Sequence, residues 1–104
     1  MSFKFEDLRV WKESINLSAG VSKLIKTFPA AERFVLSSQM QRAADSVALN
    51  IAEGSTGQSN AEFKKFLSYA NRSEIEVVNF LYLGKKRDII NEEDFSVCML
   101  YTKP

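Results

Sequence analysis

The sequence contains no histidine among its 104 residues, which removes the commonest general base, proton shuttle and metal ligand of proteins. It has a single cysteine, Cys98, so no internal disulfide can form and a reducing cytoplasm is the expected compartment. With only four glycines and two prolines, the chain has few turn formers, which predicts long helices joined by short connections.

Long apolar runs and an excess of charge of one sign are also missing. No run approaches the roughly 20 apolar residues that span a bilayer, and residues 1–8 lack the apolar core of a signal peptide. The net charge is +1, which counts against a monomer that attracts nucleic acid or an anionic membrane through a global field. We therefore expect one cytoplasmic domain over residues 1–104, without a membrane partner.

Helical periodicity runs through most of the chain. It predicts a first helix from about Glu6 to Thr27, a second from Ser37 or Ser38 to Glu53, a third over 60–87 and a short fourth after 91. Gly54 is the expected left-handed residue that ends the second helix. The predicted fold class is all-α: an antiparallel up-down four-helix bundle with a short or truncated fourth helix.

Ser59 and Asn91 supply the helix start signals. Ser59 precedes Glu62 by three residues, as in a capping box, and Asn91 opens an acidic first turn. These positions predict the N-termini of the third and fourth helices.

The second helix carries two ordered faces. Its apolar face, which should be core, consists of Leu36, Met40, Ala43, Ala44, Val47 and Ile51. Its polar face consists of Arg42, Ser46, Asn50 and Glu53. That polar face either meets a partner or forms a hydrogen-bonded network, with Arg42 pairing to Glu53 or Glu76. We favour the network, because paired Arg and Asn side chains fix the register between helices.

Apolar residues on the first and third helices exceed what a short fourth helix could cover. Each of these helices has two apolar stripes, which indicates two packing partners. Uncovered apolar surface of this kind marks interfaces, so we predict self-association. The predicted oligomer contacts are Trp11, Val21, Ile75, Val78 and Tyr82.

The residues offer little for catalysis. A di-iron bundle needs Glu-x-x-His motifs that this chain lacks, and Cys98 has no base beside it. A hard-cation site built from Asp45, Glu53 and Glu74 is the weaker alternative, because lone acids usually reach solvent or pair with a cation. We predict no enzyme, metal, cofactor or small-molecule substrate.

Five basic residues of the third helix are the candidates for nucleic-acid contact. Singly they are typical of solvated side chains, but repetition around an oligomer would make them multivalent. They are Lys64, Lys65, Lys85, Lys86 and Arg87.

Three motifs carry a resemblance to a known family. They are FEDLRVW (5–11), FPAAERFVLSSQMQRAADSVALNIAEG (28–54) and F-x-x-F-L-x-x-A-x-x-S-x-x-E (63–76). The chain resembles the 23S rRNA-intervening sequence protein family of bacterial four-helix bundles, which is similar to the accessory protein of diversity-generating retroelements. The resemblance implies a left-handed bundle, a ring-shaped homopentamer and no established enzymatic activity. It also implies nucleic acid or a reverse transcriptase as a partner.

Three features depart from the family pattern. Arg72 stands where glycine is usual, Glu74 stands where an apolar residue is usual, and the fourth helix is short. The main hypothesis is a non-enzymatic homo-oligomeric scaffold or adaptor. The alternative is a nucleic-acid-binding accessory protein, and an enzyme is disfavoured.

Overall fold

Four antiparallel helices form the protein in a computed structural model, which describes residues 3–57 and 59–102. The helices are α1 (Arg9–Ile25), α2 (Ser38–Ser55), α3 (Asn60–Lys86) and α4 (Glu92–Met99). α2 packs against both α1 and α3, and α4 lies against α3 and α1. No strand occurs in the described ranges, so the all-α bundle with a short fourth helix is confirmed.

Short irregular turns flank α1. A 3-10 turn (Lys4–Asp7) precedes it, where the ring of Phe5 packs against Trp11 with centroids 4.9 Å apart. A second 3-10 turn (Ala30–Glu32) and a π-helical turn (Arg33–Ser37) lead into α2. These turns end α1 at Ile25, two residues earlier than the sequence predicts.

The two predicted helix starts are confirmed. The Ser59 side chain accepts a hydrogen bond from the Glu62 N–H at 3.1 Å, and Asn91 accepts one from the Asp94 N–H at 2.7 Å. Each bond satisfies a backbone donor that the first turn of a helix leaves free.

Gly54 does not end α2 in the left-handed conformation, so that prediction is wrong. α2 continues through Ser55, and no glycine in the described residues has positive φ. A Cβ built on Gly54 would lie 2.5 Å from the Cβ of Phe66, a separation that real Cβ atoms essentially never show. The glycine is needed because α3 passes too close for any side chain.

The core runs along the centre of the bundle. The predicted apolar face of α2 is buried throughout, with Met40 and Ala44 fully inaccessible. From α1 the core receives Leu17, Val21 and Leu24, and from α3 it receives Ala70, Val77 and Leu81.

Val21 cannot be an oligomer contact in this fold, so that prediction is corrected. Its side chain is 0% exposed and lies in the core cluster with Leu17 and Leu24. The part of this apolar stripe of α1 from Leu17 to Leu24 is therefore intramolecular, because it is buried in the core of the bundle.

Candidate functional site

Ser46 is the centre of a polar cluster that joins α2 to α3. Ser73 donates a hydrogen bond from Oγ to Ser46 Oγ at 2.9 Å, and Asn50 donates from Nδ2 to the same oxygen at 3.0 Å. Asn50 also donates to the Ser46 carbonyl at 2.9 Å. Two members of the predicted polar face thus meet in one network.

Arg42 and Glu76 lie at the rim of an open cleft of about 450 Å³ beside that network, together with Gln39, Ser46 and Ser73. The ion pairs among the described residues are Arg9–Glu13 and Lys85–Glu92. Neither predicted pairing of Arg42 therefore forms within the chain. Glu53 is eleven residues further along α2, roughly 16 Å by helical rise, and it is exposed.

A second polar network, which the sequence did not reveal, joins α1 to α2. Ser18 donates from Oγ to Asp45 Oδ1 at 2.5 Å, and Gln41 donates from Nε2 to the same oxygen at 2.8 Å. Gln41 and Asp45 are four residues apart on α2, a spacing that favours such a pair. The partner across the interface depends on helix rotation, which periodicity does not give.

Glu74 lies away from the other carboxylates of the predicted cation site. Asp45 is bonded to Ser18, and the described residues contain no group of three potential metal ligands. Glu74 is half-buried on the side of α3 that faces α1. Burial, with Glu13 nearby as a second cause, raises the pKa of Glu74 above its ordinary value.

An open corner beside α1 and α3 is one of the unfilled features of the bundle; we name it the fourth-helix groove. It holds a cavity of about 140 Å³. The cavity is floored by Val47 and Ile51 of α2 and walled by Val10, Glu13, Ser14, Leu67, Ala70, Asn71, Glu74 and Tyr101.

The groove is open because α4 is short. Eight residues of α4 reach about 12 Å, whereas the 27 residues of α3 reach about 40 Å. Val10 lies seven residues before Leu17, on the same face of α1. Leu17 is 1% exposed, but Val10 is 48% exposed. The same face is therefore core at one end and open at the other.

The outward side of α3 combines basic and apolar side chains; we name it the outer face of α3. Arg72, which is not one of the five predicted basic residues, also lies on this face. Ile75 and Tyr82 are more than half exposed here. The exposed charged and apolar members of the face are Lys64, Lys65, Arg72, Ile75, Glu76, Tyr82, Leu83 and Lys86.

The five predicted basic residues do not form one patch. Lys64 and Lys65 lie at the start of α3, roughly 30 Å from Lys85 by helical rise. Lys85 is engaged, because its Nζ lies 2.6 Å from Glu92 and 4.4 Å from the centre of the Phe95 ring. Lys86 and Arg87 are exposed beside it.

The remaining predicted oligomer contacts differ in accessibility. Ile75 is freely exposed, whereas Val78 and Trp11 are half-buried. Tyr82 is exposed but also packs against Phe95 with ring centroids 5.0 Å apart. Ile75 and Tyr82 therefore keep the most surface to bury, and of these two only Tyr82 also packs against an aromatic ring of α4.

Cys98 is a buried thiol. It is 4% exposed, and burial raises its pKa, with Asp94 as a second cause. A raised pKa keeps the group as the unreactive thiol.

Membrane insertion has no candidate segment in the described part of the chain: none of its helices combines enough length with enough apolar character to cross a bilayer.

Comparison with known proteins gives a family and a fold. The model of the 23S rRNA-intervening sequence protein family matches residues 6–102. A crystal structure of a protein of unknown function from the S23 ribosomal protein family of Bacteroides thetaiotaomicron is similar to this chain, with a TM-score of 0.80 and 24% identity. The match covers 89% of this chain and 87% of that one. No curated protein matches the sequence.

Proposed function

Because the chain belongs to the 23S rRNA-intervening sequence protein family, we propose that it is a non-enzymatic homo-oligomeric bundle that acts as a scaffold or adaptor. The observation that carries this proposal is the fourth-helix groove, where Val10 remains exposed although it lies on the same face of α1 as the buried Leu17. Apolar surface that is left open in a small domain favours association with a further copy.

A ring of five copies in the cytoplasm is the specific form of the proposal. The ring rests on the family resemblance carried by the 28–54 and 63–76 motifs. The compartment rests on the single buried thiol, which needs no oxidising environment. The absence of histidine from the sequence supports a role without catalysis.

Light scattering on the eluate of a sizing column tests this proposal. We expect a mass that is a multiple of the 11.8 kDa chain, and five times that mass for the ring. A mass of one chain at every concentration, together with cooperative unfolding, would contradict the proposal.

Nucleic-acid binding is the second candidate, and the outer face of α3 favours it. Lys64, Lys65, Arg72 and Lys86 are exposed along this face, and Glu76 is its only acid. Around an oligomer, the cations would contact phosphates at many points and lose affinity as salt rises.

A mobility-shift titration of RNA and DNA at low and physiological salt checks the second candidate. Replacing Lys64 and Lys65 by Ala should weaken a genuine shift about equally for all sequences, because phosphate contacts carry no sequence information. The absence of a shift even at low salt would remove this candidate, and with it a nucleic-acid or reverse-transcriptase complex bridged by RNA.

A further inference from the structure

Two surfaces of the bundle carry opposite charges beside apolar side chains. The fourth-helix groove presents two carboxylates above an apolar floor, and the outer face of α3 presents cations beside exposed apolar side chains. We propose that the outer face of α3 of a second copy fills the fourth-helix groove. This inference rests on the proposed assembly and names the two surfaces that build it.

The groove needs a partner with an apolar side chain and a cation. Its cavity of about 140 Å³ is close in size to one that accepts a benzene-sized group. Glu13 pairs only with Arg9, at 3.0 Å on the exposed side of α1, and no cation in residues 3–57 or 59–102 forms an ion pair with Glu74. Glu74 thus lies in the groove without an internal neutralising charge, whereas Glu13 beside it is already paired with Arg9.

The outer face of α3 supplies that combination. Arg72 and Ile75 are one helical turn apart on the same side, and Ile75 is 53% exposed. Inserting Ile75 into the cavity would bring its apolar side chain against Val10 and Leu67. Arg72 would then approach the Glu13 and Glu74 carboxylates.

Other exposed apolar residues fit the groove less well. Leu49 on α2 is 66% exposed, but the residues one turn away from it include Asp45 and Glu53 and no cation, whereas Ile75 has Arg72 one turn away. Phe34 is 85% exposed but belongs to the turn at one end of the bundle. The groove instead runs along the side of the bundle, parallel to a helix.

The positions of the two surfaces favour a closed ring. α3 and α4 occupy adjacent corners of the four-helix bundle, so their outward directions are closer to a right angle than to opposite directions. A head-to-tail contact closes into four copies when the two faces meet at about 90° and into five at about 108°. Contacts through opposite faces would instead give an open filament.

Charge reversal tests the contact in the full chain. The variants are Arg72→Glu, Glu74→Lys and the double variant that carries both, with Lys26→Glu as a matched reversal on the exposed end of α1. Positions 72 and 74 do not face each other within one helix. Any restoration in the double variant must therefore come from contact between copies.

We expect each single reversal at the interface to raise the dissociation constant of the oligomer at least tenfold, measured by light scattering over a dilution series. The double variant should return to within about threefold of wild type, and Lys26→Glu should leave the constant unchanged. Circular dichroism at high dilution checks that every variant folds.

Three results would overturn the inference. An oligomer that is unchanged by either single reversal would place the contact elsewhere and leave the proposed scaffold intact. Loss of RNA or DNA binding in Arg72→Glu, with the mass unchanged, would assign the outer face of α3 to nucleic acid. A wild-type protein that is monomeric at all concentrations would overturn both the contact and the scaffold.

Discussion

The α2–α3 side of the bundle is closely packed, whereas the α1–α3 side contains an open cavity. Between α2 and α3 the backbones approach at Gly54 and Phe66, and Ser73 bonds to Ser46 at 2.9 Å. Between α1 and α3 a cavity remains above Val47, and Glu74 stands in its wall.

The difference shows that an apolar pattern predicts which helix face can be buried, whereas the neighbouring helices decide which part of that face is buried. The apolar periodicity of α1 continues from Leu24 back to Val10, yet only the part opposite a neighbouring helix is buried. A core-type position that remains exposed is therefore a consequence of missing neighbours. In the proposed assembly, this is the surface that a second copy covers.

The largest expected effect compares the floor of the groove with its wall. Ile51→Ala should lower the free energy of unfolding by about 2–5 kcal/mol, because it leaves a cavity among buried side chains. Val10→Ala should cost less than about 1 kcal/mol in the dilute chain, because Val10 is already half exposed. Urea unfolding measures both values. Equal losses would mean that Val10 is as well packed as Ile51.

A second comparison concerns two glycines with equally close neighbours. In Gly54→Ala the new Cβ meets the Cβ of Phe66 at 2.5 Å, so α2 and α3 must separate at a cost of about 1–3 kcal/mol. In Gly84→Ala the nearest atoms are Cδ1 and Cγ1 of Ile90, at 2.5 and 2.8 Å, and a change of the Ile90 rotamer can relieve both contacts without separating two long helices. Thermal unfolding should rank Gly54→Ala as the more damaging change. The reverse order would show that the α2–α3 contact is adjustable.

Substitution of Asp88, in the turn between α3 and α4, should change the free energy of unfolding by a smaller amount. Asp88 has φ 59°, a left-handed conformation that costs most side chains energy. Asp88→Gly should raise the free energy of unfolding by roughly 0.5–1 kcal/mol, because the strain is removed along with an acid at the negative end of α3. Asp88→Asn removes only the charge and should gain less. A loss of stability in Asp88→Gly would contradict this account of the turn.

The smallest expected effect is the contribution of Glu74 to the pH dependence of the free energy of unfolding. The pKa of Glu74 in the folded chain is raised above 4.5, so the native state holds a proton that the unfolded chain releases. Stability should therefore fall as the pH rises from 4.5 through the raised pKa.

Glu74→Gln should flatten that slope and stabilise the chain at pH 7 by no more than a few tenths of a kcal/mol, because solvent screens the half-exposed carboxylate. Denaturation curves at several pH values measure the slope of the free energy of unfolding against pH. An unchanged slope would mean that another group titrates.

Local signals predicted most of the fold. Ser59 and Asn91 gave the helix starts because N-capping needs only residues of the same turn. Gly54 was misassigned because a glycine near the end of a helix is typical both of a left-handed cap and of close helix packing. Only the position of Phe66 on α3 distinguishes these two cases.

The candidate sites were less predictable, since each depends on the rotation of one helix against another. Ser46 and Asn50 were identified as polar positions, but their partner Ser73 follows from how α2 meets α3. The pattern predicts Val21 as an oligomer contact, whereas the structure buries it, because two apolar stripes do not show which one the chain itself covers.

Amide hydrogen exchange at two protein concentrations tests the central claim most directly. If further copies cover the fourth-helix groove, protection of residues 10–14 and 67–74 should increase from the dilute to the concentrated sample. Protection around Ser46 and Gly54, which the chain already covers, should change less. Equal protection of the groove residues in both samples, across a range where the mass changes, would contradict the claim.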